Sequence, residues 1–200
     1  SSYPTKLLWI DLEMTGLRPD IDVITEIAAI VTDFDLKEIA TYETGVKHPE
    51  KLLRKLTSES DWYVAQPSHT ENIIKHSLNG KTEKVVQAEL LRLVEEHIGL
   101  SQPAKDFPFF PGSLEAKGEV FLAGNTIGAD RAFIDKWWPD FTRILHYRML
   151  DVSSFKLWMQ GSSHIPKFEK KNSHRALDDI RESIAEMKHY IGEMNATTKS

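Results

Sequence analysis

Apolar positions fall into two kinds of spacing along the chain. Residues 6–11 read KLLWID and residues 23–32 read VITEIAAIVT, runs of strand formers dense enough for buried strands. A weaker third strand is expected over 38–47, with 33–37 as the turn between neighbours of a meander. Downstream the period lengthens: over 82–97, Val85, Val86, Leu90, Leu93 and Val94, with Ile98 beyond, follow helical spacing. Residues 101–118 carry three Pro and two Gly around Phe107-Pro108-Phe109-Phe110, an irregular excursion whose aromatics need a surface to pack on. Strand character returns over 119–125, a short helix is expected over 129–138, and 147–152 is a further strand. Ser173 is the expected cap of a helix whose Leu177, Ile180, Ile184, Met187 and Ile191 step by three and four. A frayed tail is expected from 195 to 200. The pattern assigns no element to 48–81 or 153–172. Strands first, then strands alternating with helices, predict an α/β fold with a mixed sheet, in one domain over 1–194.

Composition narrows the chemistry. With 200 residues, 40% hydrophobic and 28% charged, one globular core is expected, and no run approaches the ~20 apolar residues of a membrane-spanning helix. Cysteine is absent, which excludes disulfides and thiolate ligands and suits an intracellular, reducing compartment. The chain opens on Ser1-Ser2 rather than Met, so a removed leader stays open, and with it the choice between mitochondrion and cytoplasm. Net charge is −5, the wrong sign for gripping a long polyanion, so a nucleic-acid role would be confined to a short substrate.

Asp11 and Glu13 stand two apart at the end of the first strand, so both carboxylates project from one face. Such neighbours repel unless a divalent cation lies between them; alone, the pair reads equally as two solvated acids. Two further acidic positions sit at strand–helix junctions, Asp130 in GNTIGAD and Asp178-Asp179 in HRALDD. Loops at such ends converge in open α/β sheets. Asp130 as a helix cap, Asp178 or Asp179 as a dipole partner and His174 as a surface residue are the plain structural readings.

The blocks I10-D-L-E-M-T-G-L17, N125-T-I-G-A-D130, L145-H-Y-R-M-L-D-V-S153 and S173-H-R-A-L-D-D-I180 together resemble the oligoribonucleases, members of the DEDDh exonucleases. The resemblance runs through most of the chain, and the longer 101–118 excursion points to a eukaryotic or fungal type. It implies a ribonuclease H-like fold and a homodimeric 3′→5′ exoribonuclease that cuts short RNA, dinucleotides foremost, to nucleoside 5′-monophosphates. It implies that Asp11, Glu13, Asp130 and Asp179 hold two divalent cations, Mg²⁺ or Mn²⁺, and that His174 is the general base. The family's five-residue step from His to Asp selects Asp179 over Asp178. The same resemblance assigns substrate contacts to Leu17 as a wedge, Trp62 as a stacking surface, His69, Thr126, and Tyr147, Arg148 and Ser153 around the 5′-phosphate, Tyr147 reaching the partner subunit's site. The alternatives are a DEDDh exonuclease acting on longer RNA or single-stranded DNA ends, and a non-catalytic module that captures short nucleotides.

Overall fold

The structure is a computed structural model that describes residues 3–162, 168–171, 173 and 175–198. Its centre is a five-stranded mixed sheet of order β3-β2-β1-β4-β5. β1 (Lys6–Met14), β2 (Ile24–Asp33) and β3 (Glu38–Gly45) form the expected antiparallel meander, and β4 (Leu122–Gly124) and β5 (Leu150–Asp151) add parallel to β1.

Period-two alternation along β1 sorts its side chains between two cores. Leu8, Ile10 and Leu12 join the layer that includes Val86 and Leu90 of α4 (Glu83–His97), Phe133 of α5 (Ile127–Trp137) and Phe141 of α6 (Pro139–Thr142). The first three helices occupy the stretch left unassigned by the sequence pattern: α1 (Glu50–Ser58), α2 (Asp61–Val64) and α3 (Pro67–Leu78). Leu7 and Trp9 face the other way, onto Val152 and Met159 of α7 (Val152–Ser162) and Ile180, Ile184 and Met187 of α8 (Ala176–Thr197). Asp11 and Glu13 continue this second face, the one on which α8 packs.

Several expected elements shift. The strand over 147–152 contracts to Leu150–Asp151, because Val152 already begins α7 and turns its side chain into the core. The strand over 119–125 contracts to Leu122–Gly124, the rows that pair with β1 and β5. Ser173 does not cap α8: the N-cap is Arg175, without a side-chain cap bond. The buried Glu26 of β2 lies close enough to the Ala176 backbone to feel the N-terminal end of α8. α8 runs on to Thr197 through residues expected in a tail, anchored by buried Met187 and Tyr190. The 101–118 excursion buries Phe107, whose carbonyl accepts the Arg143 guanidinium at 3.0 Å, while that guanidinium lies over the Phe109 ring.

Candidate active site

β1 delivers Asp11 and Glu13 to one face and α8 lays Asp179 over them, so that carboxylate oxygens of all three lie within 4.8 Å of one another. Asp179 is half-buried there, whereas its neighbour Asp178 is exposed. Asp130, on the first turn of α5, is buried, and its Oδ1 accepts the Leu12 N–H at 3.1 Å, which ties α5 to the strand between the two acids. It is thus held by a tertiary bond rather than by capping its own helix. His174 lies outside the described residues.

The electrostatics of this group favour a cation among the carboxylates. Burial, then Asp130, Glu13 and Asp179, push Asp11 well above the usual carboxylate range. Burial, then Glu26, Asp179 and Asp130, push Glu13 up to about 8. Burial pushes Asp130 up to about 7 against the pull of the Leu12 N–H. Four mutually repelling oxygen donors in a partly dry site suit a hard divalent cation, and among the described residues neither sulfur nor imidazole joins the group. A stability effect follows. Acids raised in the folded state stabilise it below their unfolded values near ~4, and that contribution is lost as pH climbs through the raised values. Metal-free Glu13→Gln is therefore expected to melt above the parent at pH 8.5, with the advantage shrinking toward pH 5. Differential scanning fluorimetry in EDTA checks this; a constant or reversed difference contradicts it.

A cavity of about 540 Å³ opens beside the acidic group, lined by Glu13, Thr15, Leu17, Arg18, Trp62 and Tyr63. The turn between β1 and β2 is built around the buried Asp22, which accepts Thr15 Oγ1 at 3.0 Å and both the backbone N–H and guanidinium of Arg18. Burial alone would raise Asp22, but these donors outweigh it and hold its carboxyl below the ordinary range. A Cβ at Gly16 would meet that carboxylate at 2.5 Å, so the turn requires glycine there. What the turn presents is Leu17, 87% exposed, an apolar side chain with no fold-related reason to face water. Trp62 is half-exposed across the cavity, with the His69 ring packed edge-on at 5.2 Å. Leu17, Trp62 and His69 thus gather beside Glu13.

Thr126 and Ser153 also meet: their hydroxyl oxygens are 3.0 Å apart, and Asp151 Oδ1 accepts the backbone N–H of both residues. Asp151 also raises Asp130 electrostatically, which puts this pair next to the acidic group. Tyr147 and Arg148 behave differently. Arg148 stacks on the Tyr147 ring at 5.4 Å and lines a groove with Tyr3, Leu7, Phe34 and Phe121. Leu7 precedes Asp11 by four strand residues, roughly 13 Å. Within one chain these two residues are therefore not brought to the carboxylates.

Sequence reasoning missed Glu26. It pairs directly with Glu13 across β1 and β2, is buried, and faces His76 at 3.7 Å. A second cavity of about 410 Å³ joins Glu26 to His69, Lys75, His76 and Arg175. The available signal was a lone charge inside the apolar run ITEIAAIVT.

Fold and site together define a nuclease hydrolase: an α/β exonuclease scaffold with an acidic centre able to bind metal. The exonuclease family pattern matches residues 8–60 and 109–187. The oligoribonuclease of Francisella tularensis subsp. tularensis is 41% identical over 185 residues, 92% of this chain and 93% of that protein. That of Ectopseudomonas mendocina is 38% identical over 189 residues, 94% of each. The chain belongs to the oligoribonuclease family of 3′→5′ exonucleases. Among solved structures, E. coli Exonuclease I in complex with a dT13 oligonucleotide superposes with a TM-score of 0.53 at 14% identity, over 92% of this chain and 40% of that one. This shared architecture is the ribonuclease H-like fold expected from the motifs, and the chain spans about two fifths of those larger nucleases. Among the described residues, no helix is long and apolar enough to cross a membrane.

Proposed function

We propose that this protein removes nucleotides from the 3′ end of very short RNA, dinucleotides foremost, and releases nucleoside 5′-monophosphates. The observation that carries this reading is the convergence of the Asp11, Glu13 and Asp179 carboxylates beside a cavity bearing exposed Leu17 and Trp62. Asp11, Glu13 and Asp179 converge closely enough to share a cation, and with Asp130 they would hold two divalent cations, Mg²⁺ or Mn²⁺. When bound, such ions neutralise charge at phosphorus, acidify the attacking water and stabilise the departing 3′-oxygen.

The chain's own groups do the rest. His174 takes the proton of the attacking water, imidazole being the side chain whose charge change falls nearest neutral pH. Trp62 offers a flat face to a terminal base, Leu17 wedges against it, and His69 supports Trp62 at the sugar side. Thr126 and Ser153 donate hydroxyls to the substrate's phosphate or sugar. Tyr147 and Arg148 act in trans: in a homodimer, they reach the other copy's site and cap the substrate's 5′-phosphate, Arg148 through paired N–H bonds. A cap that closes over a phosphate excludes any strand that continues from it, so length discrimination follows from geometry. The net charge of −5 agrees, since a dinucleotide needs few phosphate contacts. The 101–118 excursion is the feature that favours a eukaryotic or fungal type.

A length series from two to seven nucleotides tests the cap. Turnover efficiency is expected to fall from two nucleotides upward, and Arg148→Ala to flatten the series. Sedimentation is expected to give a dimer. Equal efficiency across the series, or full activity in a monomer, refutes this arrangement and favours longer RNA or DNA ends as substrate.

A further inference from the structure

The cavity beside Glu13 has two walls that come from separate parts of the chain: the β1–β2 turn, which presents Leu17, and the junction of α1 and α2, which presents Trp62. Toward the core the walls are tied by the Tyr63 hydroxyl, which donates to the Met14 carbonyl. At the solvent end one side chain ties them. Arg18 Nη2 donates to Glu59 Oε2 at 2.9 Å, while its Nε and Nη2 grip Asp22 Oδ2 and Oδ1 at 3.0 and 3.2 Å. Glu59 is the C-cap of α1, just ahead of Ser60 and Trp62. The turn itself is anchored, because Thr15 also holds the buried Asp22 and the Asp22 carbonyl accepts the Trp137 indole N–H of α5 at 3.0 Å. Arg18 and Glu59 both line the cavity, their side chains 45% and 38% exposed. An ion pair so exposed contributes little to the stability of the fold, since water screens it. Its geometric consequence is larger: it sets the gap between Leu17 and Trp62.

We infer that Arg18 and Glu59 form a strap across this cavity, a pair of positioning residues that hold Leu17 and Trp62 at the separation of one stacked base. This deepens the proposed reading of the cavity as the slot for a terminal base and rests on it. A base enters a slot at low cost when the walls already stand at the right distance; walls that drift apart must be ordered again at each binding event, which weakens the hold on the base without touching the phosphate. The guanidinium suits the task because its planar fork serves two carboxylates at once, whereas an ammonium is a point charge on a flexible stem. Neither Arg18 nor Glu59 holds metal or moves a proton in this scheme, so loss of the strap falls on KM rather than on kcat.

The test compares Glu59→Met, Arg18→Met, the double variant and Trp62→Ala with Mn²⁺, on a 5′-phosphorylated diribonucleotide and on its counterpart with an abasic 3′ residue. Glu59→Met leaves the Asp22 contacts of Arg18 in place and so removes only the strap. It is expected to raise KM for the diribonucleotide about fivefold, the low end of what stacking one base contributes, with kcat within about twofold of the parent. On the abasic substrate the parent and Glu59→Met are expected to have equal KM, because there is no base to clamp. The double variant is expected to bind no worse than Arg18→Met, since both changes break one contact. Arg18→Met also strips the buried Asp22 of its guanidinium; should it fold poorly, Glu59→Met alone decides. A parental KM in Glu59→Met, the same rise on both substrates, or a fall in kcat at constant KM overturns the inference. Trp62→Ala separates the two levels: a parental KM there removes the base-slot reading itself, whereas a raised KM in Trp62→Ala beside a normal Glu59→Met removes the strap alone.

Discussion

Asp11→Ala is expected to lower turnover by ~10³-fold or more while the metal-free protein melts no lower than the parent. Metal-assisted charge stabilisation supplies several kcal/mol at the transition state, and each ~1.4 kcal/mol is a factor of ten. Asp11 is the acid flanked by Asp130, Glu13 and Asp179 together, so its loss disrupts the shared cation site most. Its removal also relieves a buried like-charge cluster, which offsets the lost side-chain packing. Asp130→Ala is expected to be as inactive but less stable, because it strands the Leu12 N–H that its Oδ1 accepts, a cost of ~1–3 kcal/mol. Asp130→Asn, which keeps the acceptor, should recover the melting temperature and not the rate. Single-turnover kinetics beside thermal melts in EDTA check the pair. Collapse of the fold in both Asp11→Ala and Asp130→Asn would mean that these carboxylates serve architecture first.

His174→Ala is the second large effect. General acid–base catalysis contributes ~10²–10⁴-fold, so turnover is expected to drop within that range. Because the proposed ligands are all carboxylates, Mn²⁺ affinity is expected to stay within a few-fold of the parent. Calorimetric titration beside steady-state kinetics separates proton transfer from ligation. A loss of Mn²⁺ binding as deep as that of Asp11→Ala would make His174 a ligand and leave the base unassigned.

The parts of this site that were legible in sequence are those governed by local periodicity. Period two in KLLWIDLEM put Asp11 and Glu13 on one face, and the structure keeps them there because Leu7 and Trp9 anchor the same face on α8. Helical spacing located α4 and α8. Periodicity could not choose between Asp178 and Asp179, one turn or so from His174; the motif resemblance chose Asp179, and the fold turns Asp179 toward the strand acids and Asp178 to solvent. Helices α1 and α2 escaped because nine and four residues, broken at Ser60, are too short for a helical window even though α1 buries Leu53 and Leu56 on one face, and α3 escaped because its run from Pro67 is mostly polar up to Ile73. β4 and β5 read longer than they are because the parallel pairing covers few rows, while Val120 and Val152 beside them are buried by tertiary packing rather than by the sheet. Glu26 left only a lone charge in an apolar run, and the buried Glu186 of α8 left no local signal: the partners His76 and Asn125 lie 50 or more residues away.

The acidic group is proposed to be a metal-dependent centre acting on the shortest RNA. Its most direct test is product analysis of a 5′-phosphorylated diribonucleotide incubated with the protein, with Mg²⁺ or Mn²⁺ and with EDTA, beside Asp179→Ala under the same conditions. Complete conversion to nucleoside 5′-monophosphates is expected with either metal, none in EDTA and none with Asp179→Ala. An intact dinucleotide in the presence of metal, or cleavage that persists in EDTA or in Asp179→Ala, would contradict it.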